Sequence, residues 1–208
     1  FRALAEAVPQ IVWVTRPDGY HEYYNARWYE FTGLTPEGSL GFGWSGPLHP
    51  DDRGRAEARW KHSTDTGEPY EIEYRLRGAD GGYRWFLGRA LPQRDDAGRV
   101  VRWFGTCTDI DDFKRVQAEL ARATAVLETI NAHTPTLVFV KDRAGRAVMY
   151  NPATLAVIGK PAAEVVGKTE ADYLPAEVAA AIMANDRRVM ESGETIVGEE
   201  SPDPGPDG

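Results

Sequence analysis

The chain has 208 residues, of which 42% are hydrophobic and 11% aromatic, and its formal net charge is −8. This composition predicts well-filled cores and excludes a disordered chain, and the acidic balance argues against a nucleic-acid partner. No apolar run reaches the about 18 residues of a membrane span, so we expect no membrane contact by this segment. The single cysteine, Cys107, excludes an internal disulfide and fits a reducing cytoplasm. The chain begins at Phe1, which favours a piece of a longer protein, and that parent could be membrane-anchored.

Short β-branched and aromatic runs alternate with helical segments in the first half of the chain. Turns such as Pro17-Asp18-Gly19 bound the strands, since proline pre-sets φ and glycine accepts positive φ. Threonine at position 35 is a suitable N-cap, and Gly33 and Gly67 are suitable helix ends. The predicted elements in chain order are strands over residues 10–15 and 20–25, helices over 26–32, from 35 and over 48–65, and strands over 70–77, 83–93 and 100–108.

The last two of these strands carry apolar residues on both faces. Trp85 alternates with Phe86 along one strand, and Trp103 alternates with Phe104 along the other. A sheet that is apolar on both sides has to be covered on both sides. The internal helices can cover one face, and we expect a flanking helix or a second subunit to cover the other.

The first third of the chain aligns with its last third without a gap when Asn25 is placed on Asn151 (151 − 25 = 126). The same shift brings many residues into register: Pro9 with Pro135, Val12 with Val138, Val14 with Val140, Gly19 with Gly145, Tyr24 with Tyr150, Gly33 with Gly159, Gly41 with Gly167 and Leu48 with Leu174. This period exceeds the about 20–50 residues of solenoid repeats. The pattern predicts that one domain fold is used twice, which is more typical of a receptor or relay than of an enzyme.

Three segments of the first copy resemble the PAS sensor fold, in a subtype common in bacterial sensor histidine kinases. They are LHPDDR (48–53), GGYRWFLGRALP (81–92) and GRVVRWFGTCTDIDD (98–112). In the second copy, NPATLAVIGKPAAEVVGKTEADYLP (151–175) and DRRVMESGETI (186–196) resemble another PAS subtype that is frequent in the same receptors. The resemblance implies an α+β fold in each copy, with a five-stranded antiparallel sheet and short helices on one face.

The resemblance also implies a division of the chain. We expect a first PAS domain over residues 1–112, a linker helix over 113–133 that joins the two copies, and a second PAS domain over 134–208. The second copy stops before its last two strands, and we favour a fragment over a domain that folds incompletely.

The linker shows an apolar seam with the spacing of a coiled coil. Apolar residues recur at intervals of three and four, and charged residues surround them. We favour a parallel dimeric helix, and the alternative is an ordinary amphipathic helix packed on a domain. The seam residues are Phe113, Val116, Leu120, Ala123, Leu127 and Ile130.

A triplet precedes the seam at the place where an Asp-Ile-Thr motif couples the sheet to the exit helix in PAS proteins. Here the triplet reads Asp109, Ile110 and Asp111, so aspartate stands in place of threonine. We expect Asp111 to act as an N-cap and to preserve the coupling.

No catalytic or metal-binding motif is found in the sequence. It lacks a phosphate-binding glycine loop, an H-E-x-x-H pair and any cluster of cysteine and histidine, so we predict no catalytic residues and no metal site. His49, in the LHPDDR segment, resembles a structural residue that ties a loop to the start of the helix predicted over residues 48–65. A histidine kinase core is absent from this chain.

Three cofactors known in PAS proteins can be compared with these residues. A flavin–cysteinyl adduct is excluded because residues 41–48 contain no cysteine, and a photoactive-yellow-protein chromophore is excluded for the same reason. Haem held by His62 is disfavoured, because that residue lies near the end of the long helix. We predict no cofactor. A small-molecule pocket between sheet and helices is the alternative, with Ile72, Tyr74, Trp85 and Trp103 as its candidate lining.

The sequence thus predicts a non-enzymatic signalling segment from the cytoplasmic part of a bacterial receptor, most similar to a sensor histidine kinase. Its expected partners are a second copy of the chain and a downstream signalling domain of the same protein. The alternatives are a ligand- or cofactor-sensing domain, a structural dimerisation scaffold, or the regulatory region of a cyclic-dinucleotide enzyme. The stimulus, the output domain and the copy that senses stay open.

Overall fold

The computed structural model describes residues 2–193 and residue 195, and the chain divides into two compact units, residues 1–119 and 120–208. The first unit contains a five-stranded antiparallel sheet in the order β2-β1-β5-β4-β3. Its strands are β1 (Ile11–Thr15), β2 (His21–Tyr24), β3 (Tyr70–Arg77), β4 (Tyr83–Arg94) and β5 (Val100–Asp109). Its helices are α1 (Arg2–Ala7), α2 (Ala26–Thr32), α3 (Pro36–Ser39) and α4 (Pro50–Thr66), with a 3-10 turn at Gly43–Ser45. The predicted fold class is confirmed.

Local sequence explains where the helices of this unit begin and end. The Thr35 hydroxyl accepts a hydrogen bond from the Gly38 N–H and caps α3, as predicted. The His49 ring accepts one from the Asp51 N–H and caps α4, which is the structural role expected for this histidine. Helix α1 is absent from the sequence prediction, because its six residues are too few to show a clear period.

The helices cover the inner face of the sheet with a core rich in aromatic rings. Trp60 of α4 packs edge-on against Trp13 of β1 and against Trp103 of β5, with ring centroids 5.3 Å apart in both pairs. Trp103 is fully buried. On the outer face Leu91 is 64% exposed. That another element covers this face stays a prediction.

A single helix, α5 (Asp111–His133), follows the first sheet and continues across the boundary between the two units. The sequence prediction places a linker helix over residues 113–133, within these bounds, and the division of the chain into domains stays a prediction. Within the described residues, no helix combines the length and the apolar character that a membrane crossing requires.

The described part of the second unit repeats the order of elements from β1 to α4 of the first. It contains the antiparallel pair β6 (Phe139–Lys141) and β7 (Ala147–Tyr150), then α6 (Pro152–Ile158), α7 (Ala162–Val165), a 3-10 turn at Glu170–Asp172, and α8 (Ala176–Ser192). Helices α6, α7 and α8 begin and end at positions that match α2, α3 and α4 at the offset of the repeat. The predicted loss of the last two strands concerns the end of the chain, and residues 196–208 lie outside the described part.

Asn25 and Asn151 show how closely the two copies correspond. Both are fully buried, and each precedes a helix of seven residues. The Asn25 Oδ1 accepts a hydrogen bond from the Val12 N–H over 3.0 Å, and the Asn151 Oδ1 accepts one from the Val138 N–H over 3.1 Å. Each side chain also donates to the carbonyl two residues before that valine, over 2.9 and 2.8 Å. The same asparagine therefore fastens the end of the second strand to the start of the first in both copies.

Candidate functional site

The exit from the sheet into α5 is fixed by hydrogen bonds to the start of β4. The Ile110 N–H donates to the Trp85 carbonyl over 2.9 Å, and the Trp85 N–H donates to the Asp111 Oδ1 over 3.1 Å. Asp109 accepts the Asp111 N–H over 2.9 Å with one oxygen and the Arg84 Nε over 2.8 Å with the other. The predicted triplet thus joins helix to sheet.

One detail of the predicted triplet needs correction. The Asp111 carboxylate does not cap the helix, because it is turned towards β4 and bound to the Trp85 N–H. The acceptor for a first-turn N–H of α5 is Asp109 instead. Asp109 lies two residues before the first residue of α5, one position ahead of the usual N-cap, and it accepts the N–H of that first residue.

The Trp85 ring lies beside charged groups of two elements, β3 and α5. The Arg75 guanidinium of β3 is 5.2 Å from the ring centroid, and the Lys114 ammonium of α5 is 5.4 Å from it. Lys114 also forms an ion pair of 2.6 Å with Glu73 of β3. Cation–π contacts of this kind contribute about 0.5–1 kcal/mol at exposed sites and more when they are desolvated. The first turn of α5 is therefore held to the sheet by its side chains as well as by its backbone.

Arg75 extends this connection to the long helix α4. Its N–H, Nε and guanidinium nitrogen all donate to the buried carboxylate of Asp52, over 3.0, 2.8 and 3.1 Å. The hydrogen bonds from Arg75 outweigh the effect of burial and lower the pKa of Asp52 to about 2. A continuous set of contacts therefore runs from Asp52 on α4 through Arg75 and Trp85 to Lys114 on α5.

The seam of α5 is not covered by any other described part of the chain. No residue of the helix is buried. Five of the predicted seam residues are 59–67% exposed, and Ala123 is exposed as well. An apolar stripe of this length on one side of a helix is what a partner helix would bury. The exposed seam residues with large side chains are Phe113, Val116, Leu120, Leu127 and Ile130.

The residues predicted to line a ligand pocket in the first unit do not all lie together. Tyr74 borders an internal cavity of about 20 Å³, while Trp103 and Ile72 belong to the surrounding core without bordering it. Trp85 does not face this cavity, because it pairs with Arg75 across the strands while its neighbour Phe86 pairs with Tyr74. It therefore lies on the opposite face of the sheet from the group in which the sequence prediction placed it.

Besides Tyr74, the cavity is bordered by aromatic residues that the prediction did not include. They come from β1, β2, α2, the 3-10 turn, α4 and β3: Trp13, His21, Tyr24, Trp28, Trp44, Trp60 and Tyr70. His21 stacks on Tyr24 with ring centroids 5.3 Å apart, and burial lowers the pKa of His21 to about 3. His21 is therefore a neutral member of the core. The cavity has room for about one water molecule.

His62 and Cys107 lie in different parts of the first unit. His62 is half exposed and pairs with Glu68 over 2.9 Å, and it does not border the cavity. Cys107 borders the cavity, its Sγ is 3.1 Å from the Tyr74 hydroxyl, and burial raises the pKa of its thiol to about 11. In the described ranges, no three histidine, cysteine, aspartate or glutamate side chains form a group that could hold a metal ion.

The second unit contains a buried ionic cluster that the sequence analysis did not identify. The Lys141 ammonium of β6 lies 2.7 Å from a carboxylate oxygen of Glu170 and 2.6 Å from one of Asp186. The Tyr150 hydroxyl lies 2.8 Å from the Glu170 Oε1 and 2.6 Å from the Tyr173 hydroxyl. Burial acts to raise the pKa of Glu170, but the hydrogen bonds from Lys141 and Tyr150 outweigh it and lower that pKa. Glu170 is thus a buried, ionised group.

A cavity of about 180 Å³ lies beside this cluster, between the β6–β7 pair and helices α6 and α8. Lys141, Glu170, Tyr150 and Tyr173 form its polar end. Its remaining wall is mostly apolar and includes Leu137, Phe139, Val157, Ile158, Leu174, Val178 and Ile182. When the two copies are aligned, Glu170 falls on Trp44 and Asp186 falls on Trp60. This exchange of tryptophan for carboxylate is the sequence signal that could have revealed the cluster.

Comparison with known proteins agrees with this geometry. A family model described as PAS fold matches residues 21–107, and another with the same description matches residues 132–208. The uncharacterised protein y4lL of Sinorhizobium fredii is 36% identical over 167 residues, which cover 80% of this chain and 20% of that protein. The peroxide stress-activated histidine kinase mak1 of Schizosaccharomyces pombe is 32% identical over 139 residues, covering 62% of this chain and 8% of the kinase. The chain therefore spans a fifth or less of the length of these two relatives.

A solved structure of an RNA-binding light-oxygen-voltage receptor superposes with a TM-score of 0.52. The match has 19% sequence identity and covers 59% of this chain and 36% of that one. At this identity the similarity supports the fold alone.

Proposed function

Because the chain belongs to the PAS family and carries two PAS domains in series, we propose that it is a sensory relay segment of a larger receptor. In this proposal α5 pairs with α5 of a second copy to form a parallel dimer. A change in the first domain alters the packing of that pair and is passed along the helix. The segment itself performs no catalysis.

The proposal rests on two features of α5: its first turn is bound to the sheet, and the apolar seam that follows is exposed. The start of α5 is joined to the sheet through Asp109, Asp111 and Lys114. The seam that follows has no buried residue. A helix that is fixed to the sheet at one end and open to a partner along its side can convert a shift of the sheet into a rotation or a change of register.

The parent protein in this proposal is a sensor histidine kinase, and its output domain is the partner downstream in the chain. The similarity to the histidine kinase mak1 supports this choice, although mak1 is a yeast protein and the sequence analysis favoured a bacterial parent. A location in the cytoplasm is part of the same proposal.

The test is to place charge in the seam and to measure the mass of the particle by analytical ultracentrifugation. The double variant Leu120→Lys and Leu127→Lys is expected to be monomeric, since two lysines per helix would face each other in the dimer. The control is Ala118→Lys with Ala125→Lys, which adds the same charge on the opposite side of α5 and is expected to stay dimeric. Circular dichroism should show that both variants retain their fold.

Two results would contradict the proposal. One is a wild-type chain that is monomeric at micromolar concentration. The other is equal dissociation of the seam variant and the control variant, since that would assign the effect to charge in general and not to the seam.

A further inference from the structure

The edge strand β3 of the first domain carries two charged side chains that connect α4 with α5. Glu73 and Arg75 are two residues apart in the strand, so they lie on the same face of the sheet with Cα atoms about 7 Å apart. Across the strands, Glu73 pairs with Leu87 and Arg75 pairs with Trp85. Long side chains can span such a distance between neighbours on one face. The Arg75 guanidinium is therefore within reach of the Glu73 carboxylate.

The two cations of this region nevertheless have different carboxylate partners. The Arg75 guanidinium donates to Asp52 on α4 over 2.8 and 3.1 Å, and Asp51 of the same helix turn lies 3.5 Å from it. The Lys114 ammonium of α5 lies 2.6 Å from the Glu73 carboxylate. Because each cation has a carboxylate of its own, the first turn of α5 keeps its ion pair with β3.

The burial of the two carboxylates explains this choice of partners. The Asp52 side chain is 6% exposed, whereas the Glu73 side chain is 44% exposed. Solvent and salt screen the more buried ion pair less, so the guanidinium stays with Asp52 while the start of α4 lies against β3. Asp51 and Asp52 belong to one helix turn, so a movement of that turn away from β3 removes both from Arg75. Glu73 is then the carboxylate of β3 that the guanidinium can reach.

We propose that Arg75 is an electrostatic switch, bound to the first turn of α4 in one state and to Glu73 in the other. In the second state Arg75 competes with Lys114 for one carboxylate, and the two positive charges repel each other at short distance. Lys114 then leaves β3, and the first turn of α5 loosens. The proposal rests on the relay proposed above and supplies its input, since a displacement of α4 changes the attachment of α5.

The Trp85 ring keeps both cations close to the carboxylate that they would share. The Arg75 guanidinium carbon and the Lys114 nitrogen lie 5.2 and 5.4 Å from the ring centroid. An aromatic ring attracts cations through its quadrupole, and this attraction persists when an ion pair breaks. A short movement of the guanidinium is therefore enough to change its partner.

The test removes the two carboxylates of α4 and measures amide hydrogen exchange at the start of α5 in the 208-residue chain. In the double variant Asp51→Asn and Asp52→Asn, the amides of residues 114–116 should exchange about fivefold faster than in the wild type. Exchange in the middle of β5 follows the opening of the whole domain and is the reference for stability. The control Glu57→Gln with Asp65→Asn removes two exposed carboxylates from the same helix, and it should leave exchange in α5 unchanged.

A further substitution distinguishes a switch from a passive chain of contacts. Adding Arg75→Met to the two asparagine substitutions should return exchange in α5 to within about twofold of the wild type, because Glu73 is then left to Lys114. A passive chain of contacts would instead stay broken. Arg75→Met alone, with both carboxylates of α4 present, should also keep exchange in α5 within about twofold of the wild type.

The proposal is wrong if the double asparagine variant exchanges no faster in α5 than its control, or if Arg75→Met does not reverse the effect. It is also wrong if Arg75→Met alone loosens α5 as much as the asparagines do. Repeating the series in the Leu120→Lys and Leu127→Lys background separates the switch from the dimer, which is tested by the mass of the particle. The same pattern of exchange is expected there, and its loss would contradict a switch that acts within one chain.

Discussion

The carboxylate of Asp111 accepts a hydrogen bond from the backbone N–H of Trp85 over 3.1 Å. The donor belongs to β4 and the acceptor to the first turn of α5. The bond therefore ties the start of the helix directly to the sheet. The Ile110 N–H completes the connection by donating to the Trp85 carbonyl. The direction of α5 is thereby set by β4.

Replacing Asp111 with alanine should loosen the start of α5 without unfolding the first domain. The substitution removes one hydrogen bond to the Trp85 N–H, worth about 1 kcal/mol. Hydrogen exchange should become about fivefold faster at the Trp85 amide and in the first turn of α5. The control Asp112→Ala removes an exposed carboxylate that pairs with its helix neighbour Arg115, and it should change neither rate. Equal protection in both variants would show that Asp111 does not hold the helix.

The ion pair between Asp52 and Arg75 should make stability depend on pH in the acid range. The hydrogen bonds from Arg75 lower the pKa of Asp52 to about 2 in the folded chain. A carboxylate whose pKa is lower in the folded chain stabilises the fold when the pH is above its pKa in the unfolded chain. This stabilisation is lost as the pH falls through its pKa in the folded chain. The pair should contribute ~2 kcal/mol at pH 6 and little at pH 2.

The measurement for this pair is urea unfolding of the wild type and of Asp52→Asn across pH 2–6. The difference between the two free energies of unfolding should shrink as the pH falls. A difference that stays constant with pH would contradict the lowered pKa, and Arg75→Met should abolish most of the pH-dependent part.

Much of the fold could be predicted from the sequence, because its signals are local. Proline–glycine turns, Thr35 as a cap and the alternation of β3 gave the elements to within one or two residues. The self-alignment on Asn25 and Asn151 gave the repeat, and the structure shows the same hydrogen bonds at both asparagines. The sheet order, with β5 between β1 and β4, depends on long-range pairing that no local pattern contains.

The candidate site was harder to predict, for two physical reasons. Alternation assigns Trp85 and Phe86 to opposite faces but cannot say which face is inside when both are apolar. The cluster in the second domain joins Lys141, Glu170 and Asp186, which come from three separate elements, so no motif marks it. The exchange of Trp44 and Trp60 for the two carboxylates between the copies is a signal that the sequence prediction did not use.

Two glycine substitutions should have opposite effects on the first domain. A Cβ at Gly105 of β5 would overlap the indole of Trp13, which is held between its neighbours, so Gly105→Ala should destabilise the domain by about 2–3 kcal/mol. A Cβ at Gly54 of α4 would meet nothing within 4 Å, so Gly54→Ala should stabilise it by about 0.5–1 kcal/mol. Urea unfolding measures both, and equal effects would contradict the packing described for the Trp13 side of the sheet.

The most direct test of the relay is a disulfide cross-link between two copies of α5. The variant Ala123→Cys places one thiol in the seam, whereas Ala125→Cys places it on the opposite side of the helix. In a parallel dimer the two copies of residue 123 come within the about 4.4–6.8 Å between Cα atoms that a disulfide requires. Mild oxidation should therefore convert Ala123→Cys, and not Ala125→Cys, to a covalent dimer on a non-reducing gel. If Ala123→Cys stays monomeric, or if both variants cross-link equally, α5 is not the dimer seam.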